Sequence, residues 1–150
     1  EGAWFHFVVV VTKATSGDTG FSTVIYKDGD ILDTTLATGS VSKTNQEAYT
    51  NPHEVYIGSR NQDGSSANPA ACIIDDWALW NVALDGPAVA AINNSGEPTD
   101  LLVDSGNYDN SGDLVAYYKF NEGSGTTATD ATGGSDGTLV NAVAYSTDTP

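Results

Sequence analysis

Two adjacent carboxylates, Asp75 and Asp76, interrupt the run Ile73–Asn81 (IIDDWALWN), which otherwise has the composition of a buried strand. Alternate residues of an extended strand point to opposite faces, so each carboxylate would lie beside large apolar neighbours. Burying a carboxylate without a partner is costly. The sequence therefore predicts that water, hydrogen-bond donors or a cation compensates both charges.

The composition narrows the class of protein. In 150 residues, short apolar runs alternate with turns rich in Gly, Thr and Asp, which predicts one all-β body. A formal net charge of −15 disfavours binding to nucleic acid or anionic membranes and suits cations or neutral sugars. The longest apolar stretch, Phe7–Val11, is too short to span a bilayer, so we expect no membrane insertion.

The pattern of short runs predicts an antiparallel two-sheet β-sandwich, a jelly roll with one short helix. Phe5–Thr12 is expected to be a strand buried on both faces, and Asp28-Gly29 to be the turn of a hairpin. Asp85 is expected to cap a helix over Leu84–Asn93, and the lone Cys72 to lie in the core. The remaining predicted strands are Ser22–Lys27, Asp30–Thr35, Glu54–Ser59, Ile73–Asn81, Leu114–Phe120 and Gly137–Tyr145.

Four segments, in order along the chain, carry a resemblance to a known superfamily. They are Trp4-Phe5-His6-Phe7-Val8, Tyr26-Lys27-Asp28-Gly29, Val55-Tyr56-Ile57-Gly58, and Ile74-Asp75-Asp76-Trp77-Ala78-Leu79-Trp80-Asn81 followed by Ala83-Leu84. Together they resemble the laminin G-like, concanavalin A-like domains of bacterial and phage proteins. That resemblance implies the same jelly-roll fold and says little about function. Phe5 stands where a His is common, and Cys72 where a Gly usually precedes the Asp strand.

A second resemblance concerns domain organisation. Leu114–Leu139 is similar to the opening strand and loop of such a domain, although it follows the closing motif here. Either the chain straddles two domains, or this segment returns to complete the first. We expect residues 1–96 to be the C-terminal half of a sandwich that lacks upstream strands, 97–113 a polar linker, and 114–150 returning strands that pack on the same body.

The resemblance also implies a calcium site. Calcium prefers six to eight oxygen ligands, which carboxylates and the carbonyls of a Gly-rich loop can supply. The ligands implied by the resemblance are Asp75, Asp76, Asp130 and Asp136, with the carbonyls of Phe120 and Gly134. In the alternative, Asp75 only accepts hydrogen bonds from local amides. The segment Asn107–Asp113 resembles an EF-hand loop but has Tyr118 where the bidentate Glu would stand, so we expect an Asx-rich turn.

No spaced carboxylate pair, Ser/His/Asp set or His cluster is convincing in the sequence, so a non-catalytic protein is expected. Exposed polar and aromatic loop residues are the better candidates for ligand contact. These candidates are Tyr49, Asn51, His53, Asn61, Asp63 and Tyr108.

The sequence is most consistent with a carbohydrate-binding or adhesion module, stabilised by calcium, in a larger protein that is extracellular, on the cell surface or in a virion. The alternative is a structural module of a fibre, filament or capsid that binds only neighbouring protein subunits, with homo-oligomerisation left open. A sandwich that lacks strands exposes sheet edges, which favours pairing with another chain.

Overall fold

The computed structural model describes residues 3–13, 21–32, 55–62 and 65–147. The chain divides into two compact units, one of Glu1–Val41 with Asp75–Pro150 and the other of Ser42–Ile74. The described elements are β1 (Phe7–Lys13), β2 (Phe21–Lys27), β3 (Asp30–Ile31), β4 (Arg60–Gln62), β5 (Ser65–Ala67), β6 (Trp77–Trp80), α1 (Gly86–Asn93), β7 (Leu114–Tyr118), β8 (Thr127–Ala128) and β9 (Gly137–Thr138). Every described strand pairing is antiparallel. The described residues are thus all-β in character with a single short α-helix, as expected.

The first sheet has the order β1-β2-β3. β1 and β2 pair over their whole length, with Phe7 opposite Lys27 and Lys13 opposite Phe21. Asp28 and Gly29 have φ of 54° and 85°, so both residues adopt the left-handed conformation that a type I′ hairpin turn requires. The predicted hairpin is confirmed.

The two faces of β1 differ in burial. Val8 and Val10 are in the core, whereas Phe7 and Val9 are more than half exposed. The prediction that this strand is buried on both faces is therefore wrong. The helix and the remaining core residues cover only one side of the sheet.

The helix α1 packs beside the hairpin. The Asp85 carboxylate accepts a hydrogen bond from the Ala88 N–H at 2.8 Å and caps the helix, as predicted. Near the other end, the Asn93 side chain donates to the Asp28 carbonyl at 3.1 Å. This bond ties the end of the helix to the β2–β3 turn, although 65 residues separate the partners in sequence.

β6 and β7 form a two-stranded sheet, with Trp77 opposite Tyr118 and Leu79 opposite Ala116. β6 is much shorter than the predicted strand Ile73–Asn81. Asp76 has φ of 49°, a left-handed conformation that an extended strand does not contain, so the strand begins only after it. β7 confirms the predicted strand Leu114–Phe120 except at its last two residues.

One hydrophobic core joins the first sheet, the helix and β7. Tyr108 and Tyr117 are its largest fully buried side chains. The Tyr108 hydroxyl donates to the Leu101 carbonyl at 2.9 Å and accepts from the Trp80 indole N–H at 3.1 Å, so its polar end is satisfied inside the core. The buried members of this core are Val8, Val10, Tyr26, Leu84, Ala88, Val89, Ile92, Leu101, Tyr108 and Tyr117.

In the unit Ser42–Ile74, β4 and β5 form a small hairpin. The described part of the predicted strand Glu54–Ser59 is not a strand, because residues 57–59 bend and Gly58 has φ of 74°. Cys72 is exposed in a bend rather than buried, so that prediction is also wrong.

Residues after β7 form the short pair β8–β9. The predicted strand Gly137–Tyr145 keeps only its first two residues, because Asn141 and Ala142 turn the chain with φ of 56° and 63°. The expected segment boundaries at residues 96 and 113 stay a prediction. β7 pairs directly with β6, and both strands belong to the same compact unit.

Candidate functional site

The carboxylate pair that interrupts the apolar run lies immediately before β6. The Asp76 carboxylate accepts a hydrogen bond from the Tyr117 hydroxyl at 2.7 Å, so a buried phenol compensates this charge. Burial, and then the negative charge of Asp76, raise the pKa of the Tyr117 hydroxyl, which stays protonated and donates. Asp76 is therefore a structural acceptor for a core tyrosine.

Asp75 lies beyond the last pair of the β6–β7 ladder. Trp77, opposite Tyr118, is the first residue of that ladder, and the left-handed Asp76 separates Asp75 from it. Burial raises the pKa of Asp75, the neighbouring Asp76 charge raises it further, and a backbone amide offsets part of both effects. This carboxylate is the least compensated member of the predicted calcium site.

Asp130 is a buried carboxylate surrounded by donors. Its Oδ1 accepts from the backbone N–H of Tyr117 at 3.0 Å, the N–H of Thr132 at 3.0 Å and the Thr132 hydroxyl at 2.8 Å. Burial alone would raise the pKa of Asp130, but these bonds and one from the Gly134 N–H hold that pKa below its usual value. Asp130 fastens the loop before β9 to strand β7.

Two further members of the predicted site support Asp130. The Asp136 carboxylate accepts from the Asp130 N–H at 3.0 Å. A Cβ at Gly134 would lie 2.5 Å from the Asp130 Oδ2, so only glycine allows this close approach of loop and carboxylate. Gly134 therefore contributes its N–H and its lack of a side chain.

The Asp130 Oδ1 in the predicted calcium site is already used as an acceptor by the protein. It accepts three hydrogen bonds from Tyr117 and Thr132, whereas calcium requires oxygen lone pairs that point at the ion. Within residues 3–13, 21–32, 55–62 and 65–147, no group of three His, Cys, Asp or Glu side chains is arranged to hold a metal. Calcium binding stays a prediction from the resemblance.

Three aromatic rings lie together beside these carboxylates. The Trp77 and Tyr118 ring centroids are 5.9 Å apart, and those of Tyr118 and Phe120 are 6.2 Å apart with planes only 16° from parallel. All three side chains are half-buried. The Tyr118 hydroxyl donates to the Ser135 carbonyl at 2.7 Å, which holds its ring in place.

We call Trp77, Tyr118, Phe120, Asp130 and Asp136 the aromatic–acidic cluster. Burial raises the pKa of the Tyr118 hydroxyl, and the charges of Asp130 and Asp136 raise it further, which reflects how near the carboxylates lie to the rings. The sequence predicted a role for Phe120 only through its carbonyl. Tyr118 and Phe120 alternate along the chain, and Tyr118 lies opposite Trp77. That alternation of aromatic residues was the sequence signal that could have located the ring cluster.

The predicted ligand-contact residues are not brought together in the described part of the chain. Tyr49, Asn51, His53 and Asp63 lie outside the described residues, and Asn61 is described only by its place in β4. Tyr108 was expected to be an exposed loop residue, and this is wrong because only 1% of it is exposed. Its hydroxyl bonds inside the core explain the burial.

Comparison with known proteins adds no relative. No protein family, curated protein or solved structure matches this chain. Among the described residues, no helix is long and apolar enough to cross a membrane.

Proposed function

We propose that this chain is a non-catalytic carbohydrate-binding module of a larger extracellular or virion protein. The observation that carries the proposal is the aromatic–acidic cluster, in which rings and hydrogen-bond acceptors occupy one end of the β6–β7 sheet. Flat aromatic faces bury the apolar side of a pyranose ring, while carboxylates and carbonyls accept bonds from its hydroxyls.

The arrangement of the cluster supports contact with a neutral sugar. The Trp77, Tyr118 and Phe120 rings supply the apolar surface. The half-buried Asp75 carboxylate and the exposed Asp136 supply acceptors at its border. These carboxylates would repel an anionic sugar, so the preferred ligand is an uncharged pyranose.

For the architecture, we propose the two-sheet jelly-roll sandwich that the sequence predicts. The support is that Val8 and Tyr26 of the first sheet belong to the same core as Tyr117 of β7. Side chains from two sheets that meet in one core are typical of a sandwich. In this arrangement the aromatic–acidic cluster lies at the end of the second sheet, where sandwich proteins carry binding loops.

A glycan array probed with the purified chain tests the proposal, once with calcium and once with EDTA. The matched variants are Trp77→Leu, which keeps an apolar side chain without a flat face, and Trp4→Leu, at a half-buried tryptophan outside the cluster. We expect Trp77→Leu to weaken binding about tenfold, because stacking on the indole contributes roughly 0.5–1.5 kcal/mol beyond its buried area.

Trp4→Leu should bind as the wild type does. Circular dichroism of both variants checks that each is folded. The proposal is overturned if the folded wild-type chain binds no neutral glycan in either condition, or if Trp4→Leu loses binding as strongly as Trp77→Leu.

A further inference from the structure

The outer face of β1 is apolar and open. Phe5, Phe7, Val9 and Val11 alternate along the strand and its approach, and their exposed fractions are 51%, 57%, 59% and 54%. Alternate residues share one face of a sheet. An ordinary monomer surface exposes large apolar side chains singly, whereas here four of them form a contiguous row on one face.

β2 extends the same face. Residues directly opposite in an antiparallel pair point to the same side, so Lys27, Ile25 and Thr23 accompany Phe7, Val9 and Val11. We call these six residues together with Phe5 the β1 face. None of the seven is acidic in a chain with 20 acidic residues, and Asp30 of β3, opposite Lys27, brings a carboxylate only to the border of the face.

The one charge on the β1 face is held close to the sheet. The Lys27 ammonium lies 3.9 Å from the centroid of the Phe5 ring and 3.2 Å from the Asp28 carboxylate. Its charge is thus shared between an aromatic ring and an ion pair at the edge of the face. The centre of the face, around Val9, consists of uncharged side chains.

We propose that the β1 face is a contact between two copies of this chain. Two molecules that each carry a formal charge of −15 repel one another, and they approach with least repulsion through the part of this surface around Val9, which has no carboxylate. A symmetric dimer uses the same patch on both partners, which a sheet face with an apolar centre satisfies. This inference does not depend on glycan binding.

The size of the face sets the strength of the contact. About half of each phenylalanine side chain is exposed, or roughly 100 Å² apiece, with somewhat less for each valine. Two copies would bury about 700–1,000 Å² in total, which is below the roughly 1,200–2,000 Å² of stable interfaces and in the range of weak, transient contacts. The dimer is therefore weak and depends on protein concentration, and it becomes strong only where a parent assembly holds many copies together.

Sedimentation equilibrium over a wide concentration range tests the proposal. For the wild type, the average mass should rise from 15.6 kDa towards twice that value. Val9→Lys places an unpaired ammonium at the centre of the contact and should weaken dimerisation about a hundredfold or more. Val115→Lys is the matched control, because Val115 is a strand valine with 49% exposure outside the β1 face.

A second, milder variant checks that the effect of Val9→Lys is not caused by misfolding. Val9→Thr keeps the β-branched shape and strand preference of valine but adds a hydroxyl, and it should weaken association severalfold. Circular dichroism confirms that each variant is folded. The proposal is overturned if the wild type keeps its monomer mass at every concentration, or if Val115→Lys abolishes association as fully as Val9→Lys.

Discussion

At the scale of single residues, the loop before β9 depends on one carboxylate. Asp130 is 4% exposed and accepts bonds from Tyr117 and Thr132. In Asp130→Asn the amide oxygen can take the place of Oδ1 and keep these bonds, but the uncharged NH₂ group then replaces Oδ2 in the close approach to Gly134, whose N–H also donates to the carboxylate. We expect the variant to lower the free energy of unfolding by about 1–2 kcal/mol at neutral pH, measured by urea denaturation. Asp109→Asn, at an exposed acidic position, is the control and should be neutral.

The same residue gives a pH dependence with a definite sign. Hydrogen bonds hold the folded-state pKa of Asp130 below its usual 3.8. A lowered pKa stabilises the fold above the unfolded-state value, and that contribution is lost as the pH falls through the folded-state value. The stability difference between wild type and Asp130→Asn should be constant near neutral pH and shrink below about pH 3.8. A difference that grew on acidification would contradict this account.

At the scale of elements, the β2–β3 turn depends both on a local sequence signal and on a contact with a residue far away in the sequence. Gly29 has φ of 85°, and a Cβ there would lie 3.2 Å from the Asn93 side-chain nitrogen of α1. Gly29→Ala should cost about 1–2 kcal/mol, because a left-handed alanine is strained and Asn93 must shift. Gly112→Ala, with no atom within 4 Å of its Cβ, should be close to neutral. Thermal unfolding compares the two, and equal losses would refute the explanation.

The elements that the sequence predicted correctly have local signals. The Asp28-Gly29 turn and the Asp85 cap each depend on residues within three positions of one another. Two of the predictions that failed depend on long-range contacts. Asp76 leaves the strand conformation and bonds to the Tyr117 hydroxyl, 41 residues away, and Tyr108 is buried because it meets Trp80, 28 residues away.

Only the acidic residues of the aromatic–acidic cluster and its border could be predicted from the sequence. The carboxylates Asp75, Asp130 and Asp136 were selected from residue type and resemblance. Their partners could not be read from spacing, because the Tyr118–Asp130 bridge and the Trp77–Tyr118 pair form only when separate strands meet. Residue type identified the acceptors, while the fold determined which donors satisfy them.

At the scale of elements, removal of metal tests what holds the loop around Asp130 in place. The loop around Asp130 is held by the amides of Tyr117, Thr132 and Gly134, so we expect its stability not to depend on a cation. We expect EDTA to move the thermal midpoint by less than about 2 °C relative to calcium-loaded protein. A midpoint that climbs steadily with calcium concentration would instead indicate binding to the folded state and support the calcium site that the resemblance implies.

At the scale of the whole molecule, the net charge of −15 opposes any contact between copies. The β1 face contributes dispersion and hydrophobic burial, which salt does not screen, whereas the repulsion between the two acidic bodies is screened. The Debye length falls from about 30 Å at 0.01 M salt to about 3 Å at 1 M. We therefore expect the dimerisation constant of the wild-type chain to rise as sodium chloride is added.

Sedimentation equilibrium at several salt concentrations measures this dependence. Val9→Lys should remain monomeric at low salt, because a buried unpaired ammonium is not rescued by removing long-range repulsion. Val115→Lys should follow the wild type, with slightly stronger association because it lowers the net negative charge by one. A dimerisation constant that falls with salt would mean that ion pairs hold the copies together, and would place the contact on a charged surface rather than on the β1 face.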